Sequence, residues 1–106
     1  MVRHVIIWTM KDEYSEEEKQ AIRAGVKEGL EGLQGKIPGM VSIRVLTEGL
    51  QSSNGDLMLD SVFEDEEALK AYSVNPSHQA VANGKVRPYM KIRSCFDFVE
   101  ATVQPR

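Results

Sequence analysis

Twice along this chain of 106 residues the apolar period changes from two to about 3.6 and back, and that rhythm restricts the fold more than any single motif. The first stretch, Val2 to Lys11, alternates Val2, His4, Ile6, Trp8 and Met10 with Arg3, Val5, Ile7, Thr9 and Lys11, which predicts a strand. Ser15 before Glu16, Glu17 and Glu18 supplies an N-cap, a Glu at the third helical position and negative charge at the positive helix end. A helix is expected from there to about Gly35, with Ile22, Val26, Leu30 and Leu33 facing the sheet. Its Gly25, Gly29 and Gly32 each cost about 1 kcal/mol relative to alanine. Either a close backbone approach offsets that cost, or the helix loosens toward its end.

After the Pro38-Gly39 turn, Met40 to Glu48 reads as a second strand with Val41, Ile43 and Val45 inward and Ser42 and Arg44 opposite. A polar loop over 49–56 leads to a third strand, Leu57 to Glu64, in which Leu57, Leu59, Ser61 and Phe63 share one face. Asp65 caps a short helix through Ala68, Leu69 and Tyr72, and Asn75-Pro76 restarts helical structure that Gly84 or Pro88 ends. Ile92 to Glu100 is the fourth strand, read with Ile92, Ser94, Phe96 and Phe98 opposed to Arg93, Cys95, Asp97 and Val99; residues 101–106 form a frayed tail. The order strand, helix, strand, strand, helix, strand predicts one α+β domain over 1–100, a ferredoxin-like βαββαβ plan with a four-stranded antiparallel sheet and helices on one side. The uncovered face would carry Val5, Ile7, Leu46, Met58, Val62, Cys95 and Val99, with Arg3, Arg44, Asp60, Arg93 and Asp97 pairing across strands. That is too apolar for water, and a twofold partner packing through the sheet face is expected, a homodimer; the alternative is a half-polar sheet left solvated.

Charge and composition remove several functions. Thirteen Lys plus Arg against 16 Asp plus Glu, a net charge of -3, lack the basic stripe that nucleic acid or an anionic membrane demands. No apolar run approaches a membrane span or a signal-peptide core, so a cytoplasmic location is expected. A single cysteine, Cys95, excludes an internal disulfide; its apolar strand suggests a buried structural thiol. No metal is expected, because His4 and His78 lack a third ligand at a diagnostic spacing. Phosphate loops, nucleophile elbows and dinucleotide fingerprints are absent.

The stretch carrying chemistry is Ala71-Tyr72-Ser73-Val74-Asn75-Pro76-Ser77-His78-Gln79, with a phenol and an imidazole six residues apart across a helix break. Asn75-Pro76 places His78 in a first helical turn, where the helix dipole favours the neutral, proton-accepting imidazole. Tyr72 ends the preceding helix. The pair can act as base and hydrogen-bonding partner. A plainer alternative stays open, in which Tyr72 fills the core and His78 bonds the loop.

Val2-Arg3-His4-Val5, Ser61-Val62-Phe63-Glu64 with Asp65, Leu69-Lys70-Ala71-Tyr72 and Asn75-Pro76-Ser77-His78 together resemble the stress-responsive α/β-barrel, or Dabb, family over nearly the whole chain. Family members carry a first-strand His and a His-Pro-x-His motif; here Asn75 replaces the first His of that motif and keeps its capping capacity. The resemblance implies a dimeric α+β barrel and a stress-associated role. Through a polyketide cyclase of the family it also implies cofactor-free chemistry at Tyr72 and His78. It implies a pocket lined by His4, Ile6, Trp8, Ile22, Val26, Leu59, Ser61, Phe63 and Leu69. The expected ligand is a small apolar or polyketide-like molecule, and the expected reaction is an aldol-type cyclisation. Alternatives in other classes are a non-catalytic stress-associated dimer and a cofactor-independent monooxygenase.

Overall fold

The computed structural model describes residues 1–100; the tail expected over 101–106 lies outside the described residues. Four strands, β1 (Val2–Met10), β2 (Met40–Leu46), β3 (Leu57–Phe63) and β4 (Met90–Val99), form one antiparallel sheet in the order β2-β3-β1-β4. Helix α1 (Glu16–Glu31) connects β1 to β2, and α2 (Glu66–Val74) with α3 (Pro76–Val81) connects β3 to β4. This is the α+β, ferredoxin-like arrangement expected from the order of elements.

Each helix begins where a side chain takes up the free amides of its first turn. Ser15 Oγ accepts from the Glu18 amide at 3.1 Å while Glu18 returns a bond to the Ser15 amide at 2.9 Å, a complete capping box. Asp65 Oδ1 accepts from the Ala68 amide at 2.8 Å, and Asn75 Oδ1 from the Ser77 amide at 2.9 Å. Asn75 also ends α2, so one residue makes the break that sets Tyr72 and His78 on separate helices. Helix α1 stops at Glu31, earlier than expected, and irregular turns carry the chain to Gly35, whose φ of +82° is easiest for glycine.

The core lies between the helices and the inward sheet face: Ile6, Trp8, Met10, Ile43, Val45, Leu57, Leu59 and Phe63 meet Val26, Leu30 and Tyr72. Gly29 shows what one of the α1 glycines is for. A Cβ placed there would lie 2.9 Å from Val81 Cγ1 and 3.1 Å from Lys85 Cδ, so its hydrogen is what lets α1 approach the end of α3.

Two strand assignments change. Val41 is exposed rather than inward, because the pairing of β2 with β3 slips between Met40 and Ser42 and the bulge turns Val41 outward. The faces of β4 are the reverse of the sequence reading. His4 pairs with Asp97, Ile6 with Cys95 and Trp8 with Arg93, which puts Arg93, Cys95, Asp97 and Val99 on the helix side. Phe96, Phe98 and Ile92 oppose Val5, Arg3 and Thr9 on the outer face. The inversion came from reading the large apolar residues as inward, whereas here they join Val5, Ile7, Met58 and Val62 on the open side. That face remains apolar, as expected, with its charges gathered on Asp60. Arg3 Nη1 reaches Asp60 Oδ1 at 2.6 Å and Arg44 Nη2 reaches Oδ2 at 3.0 Å. Burial pushes the Asp60 carboxyl up, but the two guanidinium groups override it and hold it below the usual carboxylate range.

Candidate functional site

Between α2, α3 and the β1–β4 half of the sheet lies a cavity of about 600 Å³. The fold opens it there because the helices cover β2, β3 and β1 more closely than the edge strand β4, whose residues from Lys91 to Val99 are all exposed. Of the residues expected to line it, His4, Ile6, Trp8, Leu59, Leu69, Tyr72 and His78 do. Ile22, Val26, Ser61 and Phe63 do not. Val26 and Phe63 are fully buried in the core, Ile22 packs against that core, and the Ser61 hydroxyl donates to the His4 carbonyl at 3.1 Å.

Tyr72 and His78 do meet, though not through a hydrogen bond. Their rings lie face to face, with centroids 4.0 Å apart and planes inclined by 33°. The Tyr72 hydroxyl and His78 Nδ1 are both buried without a hydrogen-bond partner among the described residues. Buried polar atoms are seldom left so, and each raises the question of what satisfies it. Burial drives the Tyr72 phenol up to about 12, leaving it a donor at neutral pH. For His78 desolvation is likewise the largest cause and acts downward, holding the ring neutral. The backbone carbonyls of Ser73 and Tyr72, close to the ring though outside good hydrogen-bond geometry with Nδ1, push the other way, while Arg87 and His4 push downward with burial, which prevails. The dipole of a six-residue helix is not needed to explain this. Tyr72 is further fixed by Phe63 at 5.0 Å and by the edge of His4 at 6.1 Å.

The sequence reading missed the wall contributed by β4, a direct consequence of its inverted faces. His4 Nδ1 lies 2.5 Å from Asp97 Oδ1, a short carboxylate–imidazole pair with His4 nearly enclosed and Asp97 half open. Cys95, expected to be buried, is exposed on this wall, with Sγ 3.4 Å from Asp97 Oδ1 and 3.9 Å from His4 Nδ1. Burial and the Asp97 carboxylate raise its pKa, so it is a thiol rather than a nucleophilic thiolate. These three ligand atoms lie within 4.8 Å of one another. A tetrahedral ion would nevertheless have to open the His4–Asp97 contact to about 3.3 Å, displacing the hydrogen bond that joins them. The pairing of β4 with β1 was the signal for this wall: one registered neighbour of His4 would have revealed it. The segment following α3 also borders the cavity. Ala82 and Val86 line it from a π-helical turn, Ala82–Val86, a form of backbone often found at functional sites.

The stress responsive A/B barrel domain (Dabb) model matches residues 2–100. The chain belongs to the Dabb family. Among solved structures, a dimeric ferredoxin-like protein of unknown function from Bacteroides fragilis is 26% identical, with a TM-score of 0.84 over 92% of this chain and 93% of that one. A Dabb family protein from Mesorhizobium loti is 20% identical, with a TM-score of 0.72 over 95% and 97% of the two chains. The hydroxynitrile lyase of Passiflora edulis is 16% identical and superposes with a TM-score of 0.71 over 98% and 96%. No curated protein matches the chain in sequence. Among the described residues, no helix is long and apolar enough to cross a membrane.

Proposed function

We propose that this Dabb protein is a homodimer whose helix–sheet cavity binds a small apolar or polyketide-like molecule and moves a proton on it without metal or organic cofactor. The observation that carries this reading is the buried pair of orphan polar atoms, Tyr72 Oη and His78 Nδ1, on two stacked rings lining a 600 Å³ cavity. That volume suits a small molecule, and the wall of Ile6, Trp8, Leu59 and Leu69 suits an apolar body. His78, held neutral, is the base that removes the acidic proton between two carbonyls. Tyr72, held protonated, donates to the enolate oxygen that results. Because the two rings stack rather than hydrogen-bond to each other, the Tyr72 hydroxyl is not the group that orients the base. The carbanion so formed attacks a second carbonyl of the same chain, the C–C bond closing the ring as the carbonyl π bond breaks, and the alkoxide that results takes up the proton held by His78, the aldol-type cyclisation.

Dimerisation is supported by the relatives described as dimeric and by the outer sheet face, where Ile7, Ile92, Phe96 and Phe98 stand exposed in the single chain. That the same fold serves a hydroxynitrile lyase supports the scaffold as a host for catalysis. The test needs no knowledge of the natural substrate. Deuterium uptake at the central carbon of benzoylacetone, followed by proton NMR, should be faster with the protein than in buffer. His78→Ala should lower the protein-dependent rate by roughly 100- to 10,000-fold. A full rate in that variant would place the base elsewhere. Uptake never exceeding that in buffer would favour the non-catalytic dimer.

A further inference from the structure

Among the described residues three cations line the cavity, and two of them already have partners. Lys70 Nζ lies 3.9 Å from Glu66 Oε2 one helical turn back. Arg87 donates to Gln79 Oε1 at 3.1 Å and to Asn83 Oδ1. Arg87 is held by amide oxygens and not by a carboxylate; Arg93 differs in that, among the described residues, neither a carboxylate within ion-pair distance nor an amide oxygen engages its guanidinium. The nearest candidate along its own strand, Asp97, shares its face but is engaged by His4. With Glu66 also paired, Arg93 is, among the described residues lining the cavity, the cation that neither a carboxylate nor an amide oxygen engages, and it stands beside an apolar floor. Arg93 is the registered partner of Trp8 on the inward face, so its fork stands where the indole lines the cavity.

Resting on the ligand-binding reading above, we propose that the cavity selects a small organic monoacid, its carboxylate held by Arg93 and its apolar body lying on Trp8, Leu59 and Leu69. A guanidinium matches the two oxygens of a carboxylate in a planar fork. A dianionic phosphate would suit the cavity worse, because Asp97 and Glu66 line the same space and would repel its second charge.

Trp8, the single tryptophan of the chain, reports the event through its fluorescence. The probes are 3-phenylpropanoate and 3-phenylpropanamide, near-identical in volume and different in charge. The acid should bind roughly 10- to 100-fold more tightly than the amide, the range expected of a charge-assisted contact. Arg93→Gln should remove that preference while leaving amide affinity and melting temperature in place, and Arg93→Lys should keep part of it. Inorganic phosphate at equal concentration should not displace the acid. Equal affinity for the two probes, a preference that survives Arg93→Gln, or displacement by phosphate would overturn the carboxylate assignment alone. Failure of both probes to bind at millimolar concentration would overturn the ligand-pocket reading beneath it as well.

Discussion

Removing one oxygen atom from Tyr72 should make this protein more stable and less able to work. The side chain is 1% exposed, and its hydroxyl has no hydrogen-bond partner among the described residues. An unpaired buried hydroxyl costs about 1–3 kcal/mol relative to one left in water. Tyr72→Phe deletes that cost and keeps the ring contacts to Phe63 at 5.0 Å, His78 at 4.0 Å and His4 at 6.1 Å. A gain of about 1 kcal/mol raises the melting temperature of a domain near this size by roughly 4–8 °C. Calorimetry at fixed protomer concentration measures it, since dimer dissociation would otherwise shift the midpoint. The same variant should lose protein-dependent deuterium uptake into benzoylacetone, because the enolate oxygen has lost its donor. A Tyr72→Phe protein that melts lower than the parent would show the hydroxyl to be bonded within the fold, and the claim that it is kept for a ligand would fall.

Three further outcomes bear on the scaffold. Gly25→Ala, with nothing within 4 Å of the new methyl, should gain about 1 kcal/mol of helix propensity in chemical denaturation, whereas Gly29→Ala should forfeit that gain against Val81; equal gains would contradict the α1–α3 approach. His78 has a folded pKa depressed below its ordinary 6.5, so the unfolded chain takes up the proton first on acidification. Stability from this source is complete above about pH 6.5 and is lost as pH falls through the lower, folded value. Urea midpoints measured from pH 7.5 downward should decline less in His78→Gln than in the parent, and identical profiles would show that His78 is not the group responsible. Phe96→Asp should convert the sedimenting species from dimer to monomer, since Phe96 is 69% exposed in the single chain and only a partner would suffer from the charge. A dimer that survives this change uses some other face.

Much of the fold was legible because local signals agreed with one another. Ser15 with Glu18, Asp65, and Asn75 with Pro76 each mark a helix start by a side chain that meets a specific amide, and all three bonds form. Alternation in β1 and β3 identified which residues share a face, since both strands are central and each has one side packed on helices. The edge strands behaved differently. β4 has apolar residues on one face and a mixed polar set on the other, and the assumption that the greasier set faces the helices inverted it. Alternation gives a strand's period but not its phase; only pairing supplies the phase, and pairing is a long-range property. Val41 fails for a related reason, because a bulge adds a residue that no periodicity announces. The Tyr72–His78 encounter was legible from spacing alone, while the stacked geometry was not, since six residues of separation fix proximity and leave ring orientation to packing.

The inverted phase of β4 is what allows one short strand to serve two purposes. Its outer residues Ile92, Phe96 and Phe98 continue the apolar surface of Val5, Ile7 and Met58, and burying that surface against a second copy would stabilise the edge strand, whose exposure in one chain is otherwise a liability. Its inner residues Arg93, Cys95 and Asp97 are freed from core duty because the helices leave that edge uncovered, so they can carry charge into the cavity wall. With the faces the other way round, Phe96 and Phe98 would lie over the cavity beside Trp8 and Tyr72, and three polar groups would lie on the outer face of the sheet. On the proposed function, association and binding would therefore be coupled through a strand only ten residues long. A change at Phe96 that loosens the dimer should also weaken probe binding at Arg93, three residues away on the opposite face, by letting the strand that holds the guanidinium fray.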